Sequence, residues 1–211
     1  MICIPIKEKN IDFILEKIIK ANSLGDIMEI WFDEIQKLDE QDVKKIFNKS
    51  SKPIIYKSTT KDLSKIKSIL KCKPAFIDLD IKTDKSLIKQ IKKLSPKTKI
   101  IISIHDFKKT PSTKTLQKYA NIMLNNGADI VKIATYAEKI EESLRMLDLL
   151  SKLKAKKVKA ICLCMGETGK LTRSTGHLFG NFLMYGSLSI KDQTAEGQLT
   201  AEDLRKIQNL I

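Results

Sequence analysis

Two stretches of the chain each carry one ionisable residue inside an otherwise apolar, alternating run. SIHDFKKTPS (103–112) contains His105, one of only two histidines, and GADIVKIATYA (127–137) contains Lys132. Side chains alternate between the two faces of a strand, so each residue points wherever its apolar neighbours two places away point. A lysine withdrawn from water loses charge and becomes nucleophilic. Its natural target is a carbonyl, with which it forms an imine. The protonated imine draws electrons and acidifies the adjacent carbon, and a histidine in reach can then move protons as base and acid. That chemistry is an aldol-type cleavage or a β-elimination on a keto substrate, and these residues alone leave the choice open.

Strands must position such groups, and the chain offers eight. Short apolar runs at 2–6, 26–33, 53–58, 75–81, 99–106, 129–135, 159–166 and 182–187 alternate with amphipathic segments such as NIDFILEKIIKANSLG, DKSLIKQIKKLS and AEKIEESLRMLDLLSKLKA. The last helical pattern, TAEDLRKIQNLI, runs to residue 211. Asn10 is the expected N-cap of the first helix, and Gly25 and Gly127 are expected stops. Strand–helix alternation predicts a parallel sheet of the α/β class, and eight repeats close a (β/α)₈ TIM barrel. The competing doubly wound sheet carries a glycine-rich phosphate turn after an early strand, and none is present. A single compact domain over 1–211 is expected, with loops and helices trimmed to fit the short chain.

In a barrel, the continuous apolar face of each strand meets the helices and the mixed face points to the axis. That rule sends Glu29, Asp33, Lys57, Asp78, Asp80, His105 and Lys132 inward, with Trp31 on the same face as Glu29. Buried charges are costly unless paired or hydrogen-bonded, and a core built for stability alone would hold Val, Ile and Leu there. Taken singly, each has an ordinary reading: Asp78 and Asp80 as loop caps or lysine partners, Lys132 as a side chain reaching the barrel mouth. Their convergence from five consecutive strands favours a site. His177, in RSTGHLFG, is read as a satisfied structural histidine.

The totals limit the alternatives. The 211 residues carry 39 Lys and Arg against 25 Asp and Glu, a formal net charge of +14. Arginine occurs only at Arg145, Arg173 and Arg205, and aromatics make up 6%. Arginine is the usual reader of base edges and aromatics stack on bases, so a nucleic-acid partner is not expected. A lysine-rich surface still attracts a small anionic substrate. The cysteines (Cys3, Cys72, Cys162 and Cys164) form no CxxC pair, so neither a metal site nor a disulfide framework is expected. No run approaches the length of a membrane span, and MICIPIKEKN turns charged too early for a signal peptide, so a cytoplasmic protein without membrane contact is expected.

Four motifs in order, SIHDFKKTP, GADIVKIAT, MGETGKLTRSTG and TAEGQ, resemble the type I dehydroquinate dehydratase family of the shikimate pathway. The likeness runs from GDIMEIWFDEI to the C-terminal helix. It implies a (β/α)₈ barrel that converts 3-dehydroquinate to 3-dehydroshikimate by syn loss of water, without metal or cofactor, and often as a homodimer. On this resemblance Lys132 matches the imine-forming lysine. His105 matches the histidine that takes the adjacent proton and delivers one to the leaving hydroxyl. Arg173 matches the arginine that holds the substrate carboxylate, which accounts for an arginine in a chain that prefers lysine. Glu29 matches an acid that binds a substrate hydroxyl, and Thr194, Ala195 and Gln198 match the loop that closes over the substrate.

The chain also departs from the family pattern. Trp31 stands where the family has a substrate-contacting arginine, and Lys57 where it has a second. The glutamate that partners the histidine falls near Lys61, which cannot accept a hydrogen bond. Either another carboxylate, with Asp78 the candidate, then orients His105, or the histidine is less tightly held. Because the altered positions bind hydroxyls, a Schiff-base lyase or aldolase on a related keto acid is the second reading. A catalytically silent barrel is the third.

Overall fold

The computed structural model describes residues 1–210. Strand and helix alternate throughout: β1 (Ile2–Ile6), α1 (Ile11–Leu24), β2 (Ile27–Ile30), α2 (Glu40–Lys49), β3 (Ile54–Lys57), α3 (Leu63–Leu70), β4 (Phe76–Asp80), α4 (Lys85–Leu94), β5 (Lys99–Asp106), α5 (Thr113–Asn125), β6 (Ile130–Tyr136), α6 (Ile140–Ala155), β7 (Ala160–Met165), α7 (Lys170–Thr175), β8 (Met184–Tyr185) and α8 (Ala201–Leu210). Every strand pair is parallel, in the order β7-β6-β5-β4-β3-β2-β1-β8. The two ends of that order meet where the Phe182 N–H donates to the Ala160 carbonyl at 2.8 Å. The fold is the nearly closed (β/α)₈ barrel that the alternation predicts. Ile211, the last residue of the expected final helix, lies outside the described residues.

Local chemistry sets the boundaries. The Asn10 side chain accepts from the Asp12 N–H at 2.7 Å and starts α1. The Gly25 N–H bonds the Ala21 carbonyl at its end. Gly127 follows α5 with φ +90°, a conformation that favours glycine. No helix among the described residues is long and apolar enough to cross a membrane.

The two faces of the strands build two packed regions. Outward residues such as Ile4, Met28, Tyr56, Ile77, Ile102, Val131 and Cys162 pack under the helices. Inward residues Cys3, Ile27, Ile55, Phe76, Ile101, Ile130, Ile161 and Leu183 plug the lower barrel, as layered barrel interiors do. One step further along β2 to β6, the inward positions turn polar: Glu29, Lys57, Asp78, Ser103 and Lys132.

β2 and β8 fall furthest short of their expected ranges. β2 ends at Ile30, and the chain enters a 3₁₀ turn at Phe32–Glu34. Asp33 therefore leaves the inward face assigned to it. Its carboxylate accepts from the backbone N–H groups of Thr59 (2.6 Å) and Thr60 (3.0 Å) and from the Tyr56 hydroxyl (2.7 Å). It fixes the loop after β3 and stays off the barrel axis. β8 shrinks to two paired residues.

Candidate active site

The polar inward layer is one connected network at the floor of a cavity of about 550 Å³. Register places its members side by side: Lys57 opposite Asp78 across β3 and β4, and Ser103 opposite Lys132 across β5 and β6. The Lys132 ammonium has three protons and three partners: Glu29 Oε2 at 2.8 Å, Asp78 Oδ2 at 2.8 Å and the Tyr185 hydroxyl at 2.9 Å. The other oxygen of Asp78 accepts from Lys57 Nζ at 2.9 Å and from the Ser103 hydroxyl at 2.5 Å. Tyr185 in turn donates to Glu29 Oε2 at 2.7 Å. Glu29, Lys57, Asp78, Ser103 and Lys132 are all buried. Two ammonium groups and two carboxylates cancel, so the layer is a neutral, hydrogen-bonded unit of the kind that makes buried charge tolerable.

This network corrects one expectation. Burial alone would strip Lys132 of its proton. The charges of Asp78 and Glu29 more than offset burial, and they hold Lys132 above the ordinary lysine range. The same pairing works on Asp78: burial raises it, but Lys132 and Lys57 outweigh burial and hold it well below the carboxylate range. Lys132 therefore rests as an ammonium ion. The net reaction of an ammonium with a ketone gives an iminium and water, so a charged lysine already carries the protons that the departing oxygen needs. The site has only to move them.

His105 stands at the cavity wall one inward step above Ser103, with Lys132 level with Ser103 on the neighbouring strand. Withdrawal from water, followed by the positive charges of Lys57 and Lys132, pushes it down to about 3 against the opposing pull of Asp78. It is a neutral imidazole at pH 7. Asp78 does not orient it, because both Asp78 oxygens are taken by Lys57, Ser103 and Lys132. No hydrogen bond reaches the ring from the described residues, and its near-parallel neighbour is the exposed Phe107, with ring centroids 6.1 Å apart.

Arg173 enters from the other side. Thr172 ties α7 to β7 by accepting from the Cys164 N–H at 2.7 Å, and Arg173 Nε donates to the Cys164 carbonyl at 3.0 Å. No carboxylate among the described residues pairs with its guanidinium, although it is 96% buried and lines the cavity. Burial pushes it down to about 10, which leaves it charged at neutral pH. Above the balanced layer it is the one uncompensated charge among the buried groups of the cavity, and its free N–H groups form a fork suited to a carboxylate.

The loop 194–198 closes the rim. Gln198 is buried, and its Oε1 accepts from the Thr194 N–H at 2.8 Å. Its Nε2 has no partner among the described residues. Gly197 adopts φ +71°, and a Cβ there would overlap the Gly166 carbonyl, so only glycine lets the loop lie against the end of β7. The Gly166 N–H bonds the Glu196 carbonyl at 3.2 Å across that contact. Thr194, Ala195, Gln198, Trp31 and Lys61 all line the cavity. Trp31 carries Lys7 Nζ 4.4 Å above its ring and has a buried indole N–H without a partner.

The inward residues of β2 to β6 are thus brought together with Arg173 and the 194–198 loop. Asp33 is not among them. Asp80 reaches only the rim, where it accepts from the Lys82 N–H at 2.8 Å, the loop-capping role assigned to it singly. His177 lies away from the cavity, but both ring nitrogens are buried without a partner, and nothing in the structure explains it. Tyr185 and Ser103 are the network members that strand reasoning left without a role. Among the described residues no group of three or more His, Cys, Asp or Glu stands in position to hold a metal ion.

The family model for type I 3-dehydroquinase matches residues 2–211. The chain belongs to that family. A 3-dehydroquinate dehydratase from Methanocaldococcus jannaschii is 33% identical over all of this chain and 99% of its own length. One from Methanococcus maripaludis is 34% identical over the full length of both. The crystal structure of a 3-dehydroquinate dehydratase from Geobacillus kaustophilus superposes with a TM-score of 0.89 over 99% of this chain and 90% of that one, at 20% identity, which supports the barrel. Lys57 spends its positive charge inside the network, on Asp78 and Ser103.

Proposed function

We propose that the protein removes water from 3-dehydroquinate to give 3-dehydroshikimate through an imine on Lys132, with the single barrel over 1–211 as the catalytic unit. The observation that carries this reading is one cavity shared by an amine, a neutral imidazole and an unpaired buried guanidinium. An anionic keto substrate satisfies all three. Its carboxylate pairs with Arg173, its ketone meets Lys132, and His105 takes the proton from the carbon beside the iminium and returns it to the hydroxyl that leaves as water. Glu29 Oε1, which has no partner among the described residues, accepts from a substrate hydroxyl. Thr194, Ala195 and Gln198 cover the bound ring. No metal or cofactor enters this scheme.

The test is direct. Purified protein given 3-dehydroquinate is expected to produce the conjugated enone absorbance of the product. Trp31 in an arginine's place favours a second reading, a Schiff-base lyase on a related keto acid with fewer hydroxyls. Silence with 3-dehydroquinate together with cleavage of such a keto acid would select it.

Arg173 supplies a separate check. Arg173→Lys keeps the charge but loses one of two parallel bonds, a charge-assisted contact of ~1.5–3 kcal/mol. Steady-state kinetics are expected to show KM raised by roughly ten- to a hundredfold with kcat within a few-fold of the parent. A fall in kcat at constant KM would remove Arg173 from carboxylate binding.

A further inference from the structure

Lys132 holds three partners, and the chemistry of an imine requires it to give up two. The nitrogen lone pair appears along one of the three N–H directions, and the substrate carbon must arrive along that same line. The Asp78 direction is closed, because Asp78 is fully buried and does not line the cavity. Glu29 and Tyr185 both line it. Releasing Glu29 breaks a charge pair in a site withdrawn from water, whereas releasing Tyr185 breaks a hydrogen bond to a neutral oxygen, which is the weaker of the two.

We infer that Tyr185 is a catalytic residue of imine formation: its hydroxyl fixes the attack direction of Lys132 and yields that direction to the substrate carbon. The inference rests on the imine reading of this site. Tyr185 suits the task because its hydroxyl is itself pinned by donation to Glu29 Oε2 at 2.7 Å. Its ring lies beneath the ammonium, with Nζ 4.3 Å from the centroid. Nζ is thus aimed before any substrate arrives. In the step itself the Nζ lone pair forms the C–N bond and the carbonyl π pair moves to oxygen. The two protons that Nζ surrenders leave with that oxygen as water, and one N–H remains on the iminium, facing a carboxylate. Tyr185, freed from Lys132, stands beside the departing oxygen.

Tyr185→Phe keeps the ring and removes only the hydroxyl. The protein's single tryptophan, Trp31, lines the cavity and reports substrate binding by its fluorescence. The expected result is unchanged affinity and a modestly lowered thermal midpoint, since Lys132 and Glu29 each lose one hydrogen bond, with the borohydride-trapped imine appearing about tenfold more slowly in a single turnover, the scale of one lost hydrogen bond. The deuterium isotope effect at the carbon that loses its proton is expected to shrink, because imine formation then limits turnover. A trapping rate and isotope effect equal to the parent's would overturn the inference while leaving the function intact. A fall in affinity, or unfolding at the assay temperature, that accounts for the whole rate loss would reduce Tyr185 to packing and also overturn it. If the parent protein traps no adduct from 3-dehydroquinate, the imine reading itself fails and this inference with it.

Discussion

Lys132→Ala is expected to abolish turnover of 3-dehydroquinate, by roughly 10⁶-fold, the scale reached when a covalent nucleophile is removed. Nothing else in the cavity replaces it. Lys57 Nζ is held by Asp78 and Ser103 at 2.9 Å each, and it has no second carboxylate to aim it. The variant also has a stability cost that the sequence alone did not suggest. Lys132 is the cation of Glu29 and one of the two cations of Asp78. Removing one partner of a buried pair typically costs ~3–5 kcal/mol. Circular dichroism is therefore expected to show a folded barrel with a clearly lowered melting temperature. Retained turnover above background would end the imine mechanism, and an unchanged melting temperature would contradict the buried network.

His105→Ala is expected to lower kcat by roughly 10²- to 10⁴-fold, the usual contribution of a positioned proton carrier. Single-turnover trapping separates its two duties: imine formation slows, and the later proton abstraction slows more. The pH profile carries its own sign. Free His105 is pushed down to about 3, so its base form is present throughout the neutral range and is lost only as pH falls through that value. kcat/KM, which reports the free enzyme, is expected to show no His105 limb between pH 8 and pH 5. A bound carboxylate adds negative charge to the cavity, stabilises the imidazolium and moves the corresponding limb of kcat to higher pH. A limb of kcat/KM near 6.5 that disappears in His105→Ala would mean that His105 is not held low by Lys57 and Lys132.

The barrel was readable because its strands are simple. In β4, β5 and β6 the period-two alternation is clean, and each inward residue stands where the pattern sends it. β2 deceived because alternation continues in GDIMEIWFDEI beyond the point where the chain turns. Asp33 binds backbone N–H groups of the loop after β3, a long-range contact that no local pattern reports. Tyr185 escaped because β8 pairs over only two residues, too few to establish a face. The alternation of Leu183 and Tyr185 was the available signal. The charge state of Lys132 is hidden from the sequence for a different reason. Burial of a lysine can be inferred from one strand, but its pKa depends on carboxylates that Glu29 and Asp78 deliver from 103 and 54 residues away. His105 shows the converse: the sequence offers Asp78 as its partner, but the commitment of both Asp78 oxygens to other residues is not visible there.

Borohydride added during turnover of 3-dehydroquinate tests the central claim most directly. Reduction freezes any imine as a stable secondary amine, and peptide mapping by mass spectrometry locates it. The predicted result is a single adduct on Lys132 in the parent protein and none in Lys132→Ala. Turnover without an adduct, or an adduct on Lys57 or any other lysine, would contradict the account.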